Sequence, residues 1–242
     1  MKHLPLICLA ATLLAAQATA PVVEITNEPH HHLTFENKSV RVFNVEVAPN
    51  TQTLTHWHRH DYFAVNLGPA EVSNTVKDKP PYTVRFVDGD TRFSTATFAH
   101  YVRDTGPEPF RNVTIEILDD ATLRATAGKS DTTHEKKARA LEILSGGTAQ
   151  MLFIRDGIRA TEYELQPGGI VPMHHHAGPH LLVAVSDLDL RDDIQSDDKA
   201  AHPISTPTHA KSGDSKWLPG AYSHSLTNIG TKPAKFVTLE FP

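Results

Sequence analysis

The sequence predicts an all-β protein with two β-barrels in tandem, and two observations support this fold class. Short runs rich in β-branched and aromatic residues recur along the 242 residues and are bounded by proline, glycine or asparagine, as strands are. The chain also repeats itself, so that one pattern of strands occurs twice. Many short strands at this spacing are typical of sandwiches and barrels. Only Glu135 to Ser145, where alanine, leucine, glutamate and lysine are prominent, looks helical.

The internal repeat divides the chain into two domains of about 100 residues each. At a shift of 118 positions the coinciding pairs are Phe35 with Phe153, Pro49 with Pro167, His56 with His174, His58 with His176 and Val65 with Val183. At a shift of 124 they include Gly89-Asp90 with Gly213-Asp214, His100 with His224, Gly106 with Gly230 and Glu116 with Glu240. The second shift is larger than the first, which indicates an insertion in the second half. The insertion falls within Asp187 to Lys211, whose polar composition predicts an exposed loop. The predicted domains are residues 21–120 and 140–242, joined by a polar linker at 121–139.

Residues 1–20 have the pattern of a signal peptide. A basic start precedes an apolar core from Leu4 to Ala16, and Ala-x-Ala pairs allow cleavage after Ala18 or Ala20. Pro21, directly after the second position, favours cleavage at the first. The apolar core is too short for a membrane anchor, and a buried N-terminal helix is the alternative interpretation. We therefore expect a periplasmic or secreted protein.

The composition excludes several classes of function. The only cysteine, Cys8, lies in the signal segment, so the mature chain can form neither a disulfide nor a zinc-thiolate site. Lysine and arginine number 23 against 28 acidic residues, a formal net charge of −5, and no basic run follows the signal. Nucleic acid is therefore not expected as a partner, nor is a membrane once the signal is cleaved.

Four histidines in the second half form the strongest candidate site. His174 and His176 alternate along one predicted strand, so both rings point to the same side of it. His180, after a Gly-Pro bend, and His224, from a distant segment, could complete a transition-metal centre, because neutral imidazole is the commonest protein ligand of such ions. His175 should point away from this site. The alternative is that these are surface histidines, or core histidines bonded to the backbone.

These residues resemble the two motifs of the cupin superfamily, small jelly-roll β-barrels, in its two-domain (bicupin) form. The family's first motif has H-x-H followed by a carboxylate four residues on, and its second has a histidine with an asparagine four residues later. The matching residues of the second half are Pro167-Gly168-Gly169, His174, His176, Gly213-Asp214, Trp217, Pro219-Gly220, His224 and Asn228, with His180 at the carboxylate position. Those of the first half are His56, His58, Gly89-Asp90, His100 and Asp104, with Tyr62 at that position.

The resemblance implies a divalent transition metal in the barrels. The implied ligands are His174, His176, His180 and His224 in the C-terminal barrel and His56, His58 and His100 in the N-terminal one. Many bicupins keep only one working site, and Tyr62 is a poor ligand unless ionised, so a vestigial N-terminal barrel is the alternative. Imidazole ligands without a carboxylate favour iron or zinc, with nickel, copper and manganese as further candidates. His30 to His32 are interpreted as a flexible tract that binds metal adventitiously.

The resemblance leaves several functions open, because cupins include dioxygenases, isomerases and lyases as well as binding and storage proteins. We expect an exported metal-dependent enzyme, for example an oxidoreductase of the dioxygenase type, that acts on a small oxygen-rich organic molecule; the motifs identify no catalytic acid or base. The alternative is a non-catalytic module that binds a small molecule or a metal. Arg41 and Arg159 are expected to be solvated outer-face residues. The two barrels are expected to pair with each other, and a homodimer is also compatible with the sequence.

Overall fold

The computed structural model describes residues 21–118, 141–155, 157–196 and 204–242. The predicted signal segment 1–20, which contains Cys8, and the predicted linker 121–139 lie outside the described residues. Within the described ranges the protein is all-β, as predicted, and its one helical element is a short 3-10 turn at Ile25–Asn27. No helix of this part is both long and apolar enough to cross a membrane.

The first half of the chain folds into two five-stranded sheets. Its strands are β1 (Val23–Glu24), β2 (His31–Glu36), β3 (Val40–Val47), β4 (His56–His58), β5 (Tyr62–Asn66), β6 (Ala70–Val76), β7 (Tyr82–Phe86), β8 (Thr91–Ser94), β9 (Phe98–Asp104) and β10 (Phe110–Ile117). One sheet has the order β1-β4-β9-β6-β7 and the other has the order β2-β3-β10-β5-β8. Strand β3 is rich in valine and is buried on both faces, which places it between two apolar layers.

The second half forms one eight-stranded sheet. Its strands are β11 (Leu141–Arg155), β12 (Ile158–His176), β13 (His180–Ala184), β14 (Leu188–Ser196), β15 (Ile204–Ala210), β16 (Ser215–Leu218), β17 (Tyr222–Asn228) and β18 (Ala234–Glu240). The order is β15-β14-β17-β12-β18-β13-β16, and β11 pairs with β12 beside this path. Strand β12 is long: its first residues, Ile158 and Ala160, lie in an apolar cluster, and it ends with His174, His175 and His176.

The two halves pair their strands in corresponding registers. The corresponding cross-strand pairs are His56–His100 and His174–His224, Tyr62–Glu116 and His180–Glu240, and Val45–His31 and Tyr163–Ala149. Each second pair follows from the first by the shifts of 118 and 124 read from the sequence. A residue in one half can therefore be compared with its counterpart in the other.

An apolar cluster joins the halves, and each half contributes eight corresponding buried residues to it. From the first half these are Val40, Val42, Phe63, Val65, Leu67, Val113, Ile115 and Ile117, and from the second Ile158, Ala160, Leu181, Val183, Val185, Val237, Leu239 and Phe241. Each half also has an inner cluster of its own, around Phe43 and Val45 in the first and around Leu190 and Phe236 in the second. The shared cluster holds the two halves as one body.

Two local predictions were wrong. Residues 141–145, the described part of the segment that looked helical, belong to β11; its pairing with β12 overrides a weak helical preference. The segment Asp187 to Lys211 is not only a loop, because β14 and β15 pair within it while 197–203 lie outside the described residues. In β14, Leu188 and Leu190 are both buried and lie two residues apart, which is the spacing of one face of a strand. The many polar residues around them obscured this spacing in the sequence.

Candidate metal centres

Three histidines converge in the second half. His174 and His176 lie on β12, and His224 lies opposite His174 on β17. Each ring offers one nitrogen, and these three atoms all lie within 4.8 Å of one another. His176 and His224 are buried and His174 is partly buried. The period-two alternation of β12 therefore brings two rings to one side, and cross-strand pairing adds the third.

The outer nitrogen of each ring is held by a hydrogen-bond acceptor. Nδ1 of His174 lies 2.8 Å from the backbone oxygen of Pro172, and Nδ1 of His176 lies 2.6 Å from a carboxylate oxygen of Glu240. Nδ1 of His224 lies 2.8 Å from a carboxylate oxygen of Asp192. A carbonyl or carboxylate oxygen can only accept, so Nδ1 carries the proton in each ring and Nε2 of the neutral ring presents its lone pair.

The inner nitrogens then face one another without a proton to share. Nε2 of His176 and Nε2 of His224 lie 3.0 Å apart in a buried setting. Two lone pairs at this distance repel each other, whereas a cation between them would accept both. Burial lowers the pKa of His174, which keeps the third ring neutral and available as a ligand. The donor set thus fits a transition metal ion.

Two carboxylates support this cluster from behind. Burial by itself would raise the pKa of Glu240, but hydrogen bonds from His176 and Arg159 outweigh it and lower the pKa to about 2. Asp192 is buried against His224. Both negative charges increase the electron density of the rings they hold, which strengthens imidazole as a metal ligand.

His180 does not join this group. Its ring stacks on that of His176, with centroids 3.8 Å apart and planes inclined by 16°. Lone pairs lie in the ring plane, so two nearly parallel rings cannot both direct a lone pair to one ion. Nδ1 of His180 is buried with no partner among the described residues, and Nε2 lies 3.4 Å from the hydroxyl of Tyr222. The geometry therefore does not support His180 as the fourth ligand predicted from the sequence.

The first half repeats the convergence with His56, His58 and His100, whose ligand nitrogens also lie within 4.8 Å of one another. Nδ1 of His56 lies 2.8 Å from the backbone oxygen of Leu54, and Nδ1 of His100 lies 2.8 Å from the amide oxygen of Asn74. Nε2 of His58 and Nε2 of His100 are 3.0 Å apart. Burial is the main cause that lowers the pKa of all three rings, that of His56 to about 4.

The N-terminal cluster differs from the C-terminal one at His58. Nδ1 of His58 is buried without a partner among the described residues, so its proton can sit on Nε2 and be donated to His100. Nε2 of His56 remains buried and unpartnered in the described structure. This cluster also fits a metal ion, but the contact between His58 and His100 can be a hydrogen bond when no ion is bound. Tyr62 stacks on His58 at 4.1 Å, as His180 stacks on His176, and burial raises the pKa of Tyr62 to about 12.

The two clusters open into cavities of different size. A cavity of about 80 Å³ in the first half is lined by all three histidines. A groove of about 420 Å³ in the second half reaches His174 and is bordered by Arg159, Tyr163 and Ala149. A larger surface cavity of about 450 Å³ around Asp187 and Lys211 contains none of the clustered histidines.

Sequence reasoning missed several residues of these sites. Asp192 and Glu240 hold C-terminal rings, and Asn74, which corresponds to Asp192 at the shift of 118, holds a ring in the first half. The flexible-tract interpretation of His30 to His32 was wrong for His31, which lies in β2 and packs against His56 with centroids 4.6 Å apart. His175 is exposed, in keeping with its predicted outward direction.

Comparison with known proteins finds similarity to solved structures but not to family profiles or curated sequences. No protein-family profile matches the chain, and no curated protein sequence matches it. Solved structures do match. Oxalate decarboxylase from Bacillus subtilis at pH 4.6 aligns with a TM-score of 0.60 and 13% identity, covering 84% of this chain and 68% of that one. A structure from a study of the Mn(II) centres of the same Bacillus subtilis protein aligns with a TM-score of 0.61 and 12% identity, covering 90% and 76%.

The chain has a cupin fold. At 12–13% identity this likeness establishes the fold alone, so the reaction of the neighbours is not transferred to this chain. The resemblance read from the histidine motifs and the structural likeness agree on that fold. The chemistry of the site depends on this chain's own residues.

Proposed function

We propose that this protein is a metal-dependent cupin enzyme that acts on a small oxygen-rich organic molecule. In this proposal His174, His176 and His224 hold the principal ion, and His56, His58 and His100 hold a second one. The observation that carries the proposal is the pair of Nε2 atoms of His176 and His224, which face each other at 3.0 Å while their Nδ1 protons are held by carboxylates. An ion bound there would supply Lewis acidity, or with iron a redox centre.

The residues around the C-terminal centre have separable roles. Glu240, Asp192 and the carbonyl of Pro172 orient the three rings, and Arg159 holds Glu240 in place. The groove beside His174 admits the substrate from one side. No acid or base is assigned, because Glu240 is already engaged by both His176 and Arg159.

The wider setting is part of the same proposal. Each half would be one cupin barrel, with domains at 21–120 and 140–242, and the segment 1–20 would direct export to the periplasm or the medium. The corresponding strand registers support the pair of barrels. The expected partner is a small molecule rather than nucleic acid or membrane, and a homodimer remains compatible with the sequence.

The choice of metal follows from the ligands. Three neutral imidazoles leave the ion its full charge and favour iron or zinc, with nickel or copper next. Manganese is the ion studied in one structural neighbour, oxalate decarboxylase, whose Mn(II) centres have been examined. We rank iron and zinc first because the ligand set here has no carboxylate that would favour manganese.

Matched alanine substitutions test the metal centres. His174→Ala and His56→Ala replace corresponding residues, and each should remove about one equivalent of metal from a protein that binds two; the double variant should bind none. Elemental analysis of purified protein measures this, with near-ultraviolet circular dichroism as the folding control. Metal content that stays unchanged in the double variant contradicts the proposal.

A second candidate is a non-catalytic module that captures a small molecule. The engagement of Glu240 by two partners favours it, because no free carboxylate stands ready beside the C-terminal histidines among the described residues. Oxygen consumption and product analysis with phenolic, diketone and sugar-acid substrates separate the two functions. Turnover of any of them excludes the binding-only function.

A further inference from the structure

The two halves differ at a corresponding pair of facing positions beside their histidine clusters. On β2, His31 lies opposite Val45 of β3, and on β11, Ala149 lies opposite Tyr163 of β12. Both pairs are related by the shift of 118. At the first position the ring of His31 takes the place of the methyl group of Ala149, and at the facing position the second half has Tyr163 where the first half has Val45.

His31 lies beside the N-terminal cluster rather than within it. Its ring centroid is 4.6 Å from that of His56 and 6.5 Å from that of His58, and it lines the same cavity. It does not belong to the group whose ligand atoms are all within 4.8 Å of one another. Its ring thus borders the space that a ligand on the bound ion would occupy.

A buried carboxylate holds His31 in this place. Nδ1 of His31 lies 2.6 Å from a carboxylate oxygen of Glu28, and the other carboxylate oxygen accepts the backbone N–H of Leu54 at 3.0 Å and approaches Nδ1 of His30 at 2.9 Å. Glu28 is 2% exposed, so the contact is shielded from water. In the second half the counterpart of Glu28 is Gly146, which has no side chain to hold a ring.

The cavity beside the histidine cluster is smaller in the half that has His31 than in the half that has Ala149. The N-terminal cavity of about 80 Å³ offers the volume of roughly two or three water molecules, at about 30 Å³ each. The C-terminal groove of about 420 Å³ is within the range of small-molecule sites, about 300–1,000 Å³. His31 lines the first cavity and Ala149 lines the second.

We propose that His31, held by Glu28, restricts the N-terminal metal centre to ligands of a few atoms, whereas Ala149 leaves the C-terminal centre open to larger molecules. His31 is then a residue that determines ligand size, and Glu28 is its positioning residue. This inference rests on the proposed metal function. It assigns the substrate of the enzyme to the C-terminal centre and only small ions or gases to the N-terminal one.

The test exchanges the two residues in the full-length protein loaded with Co(II). His174→Ala isolates the N-terminal centre and His56→Ala isolates the C-terminal one. Azide serves as the small probe and nitrocatechol as the large one, and both are followed by the visible spectrum of the bound Co(II). The isolated N-terminal centre should bind azide and exclude nitrocatechol, and the added change His31→Ala should tighten nitrocatechol binding at least about tenfold. In the isolated C-terminal centre, Ala149→His should weaken nitrocatechol binding by a similar factor and leave azide binding intact.

Each outcome decides a separate point. Nitrocatechol affinities that do not respond to either exchange, with Co(II) still bound, overturn the size restriction and leave the metal function standing. Loss of Co(II) on His31→Ala makes His31 a metal ligand and also overturns it. If His31→Ala fails to fold, Ala149→His decides alone. Absence of Co(II) from both isolated centres overturns the proposed function together with this inference.

Discussion

The carboxylate of Asp192 and the imidazole of His224 form a buried hydrogen bond of 2.8 Å, with side chains that are 5% and 2% exposed. At the corresponding place in the first half, the amide oxygen of Asn74 contacts His100 at the same distance. The two histidine clusters therefore share their geometry but differ in the charge of the group that accepts a hydrogen bond from one histidine. A charged acceptor makes a ring a stronger donor to a cation than a neutral amide does.

Exchanging these two residues should alter the affinities of the two centres in opposite directions. We expect Asp192→Asn to weaken metal binding at the C-terminal centre about 10- to 100-fold, the usual effect of losing such a partner. Asn74→Asp should strengthen the N-terminal centre. Competition with a coloured chelator, in His56→Ala or His174→Ala backgrounds, measures each centre separately. Equal effects of either change on both centres would argue against a local cause.

Glu240 and its counterpart Glu116 give a second contrast. Glu240 contacts His176, whereas Glu116 contacts Arg41 and leaves one carboxylate oxygen without a partner among the described residues. Glu240→Gln should therefore weaken the C-terminal centre at least about tenfold. Glu116→Gln should change the N-terminal affinity little, since His58 does not depend on it. A large loss of N-terminal metal in Glu116→Gln would show that the two residues act alike.

The metal-free protein should lose stability in acid. Burial, followed by the neighbouring rings of His176 and His224, lowers the pKa of His180 to about 3, against an unfolded value of about 6.5. Between these values the unfolded chain binds more protons, so the free energy of unfolding decreases as the pH is lowered, by up to about 1.4 kcal/mol per pH unit for this group. His180→Tyr, which copies Tyr62, should reduce the slope. Urea unfolding from pH 7 to pH 4 with chelator present measures it, and equal slopes in both proteins refute this role.

The shared cluster predicts that the halves unfold together. Phe63 is fully buried and stacks on Phe153 of the other half with centroids 5.4 Å apart. Phe63→Ala should cost about 3–5 kcal/mol and leave a single calorimetric transition at lower temperature. Val87→Ala, at a position 69% exposed, is the control and should change stability by less than about 0.5 kcal/mol. Two separated transitions in the wild type would contradict this prediction.

The features that depend on local periodicity were predictable from the sequence. His174 and His176 had to share a face because side chains alternate along a strand, and the repeat indicated His224 as the counterpart of His100. The all-β class followed from the same patterns. Strand alternation in β14 was hidden, because two leucines stand among many polar residues.

The features that depend on long-range pairing were not predictable. Glu240 reaches His176 only because β18 lies between β12 and β13. Asp192 looks like any other acidic residue of its segment until β14 pairs with β17. His31 appeared to belong to a flexible histidine tract, whereas it lies in β2 and buried Glu28 holds its ring.

The common apolar layer also limits how the chain can be divided. A fragment of residues 21–118 would expose to water eight aliphatic and aromatic side chains that the other half now covers. Such a fragment would need a second molecule to shield that surface, and it would aggregate or dimerise. By carrying both copies in one polypeptide, the protein supplies this shield internally and independently of its own concentration, and it keeps the two histidine clusters at a fixed separation.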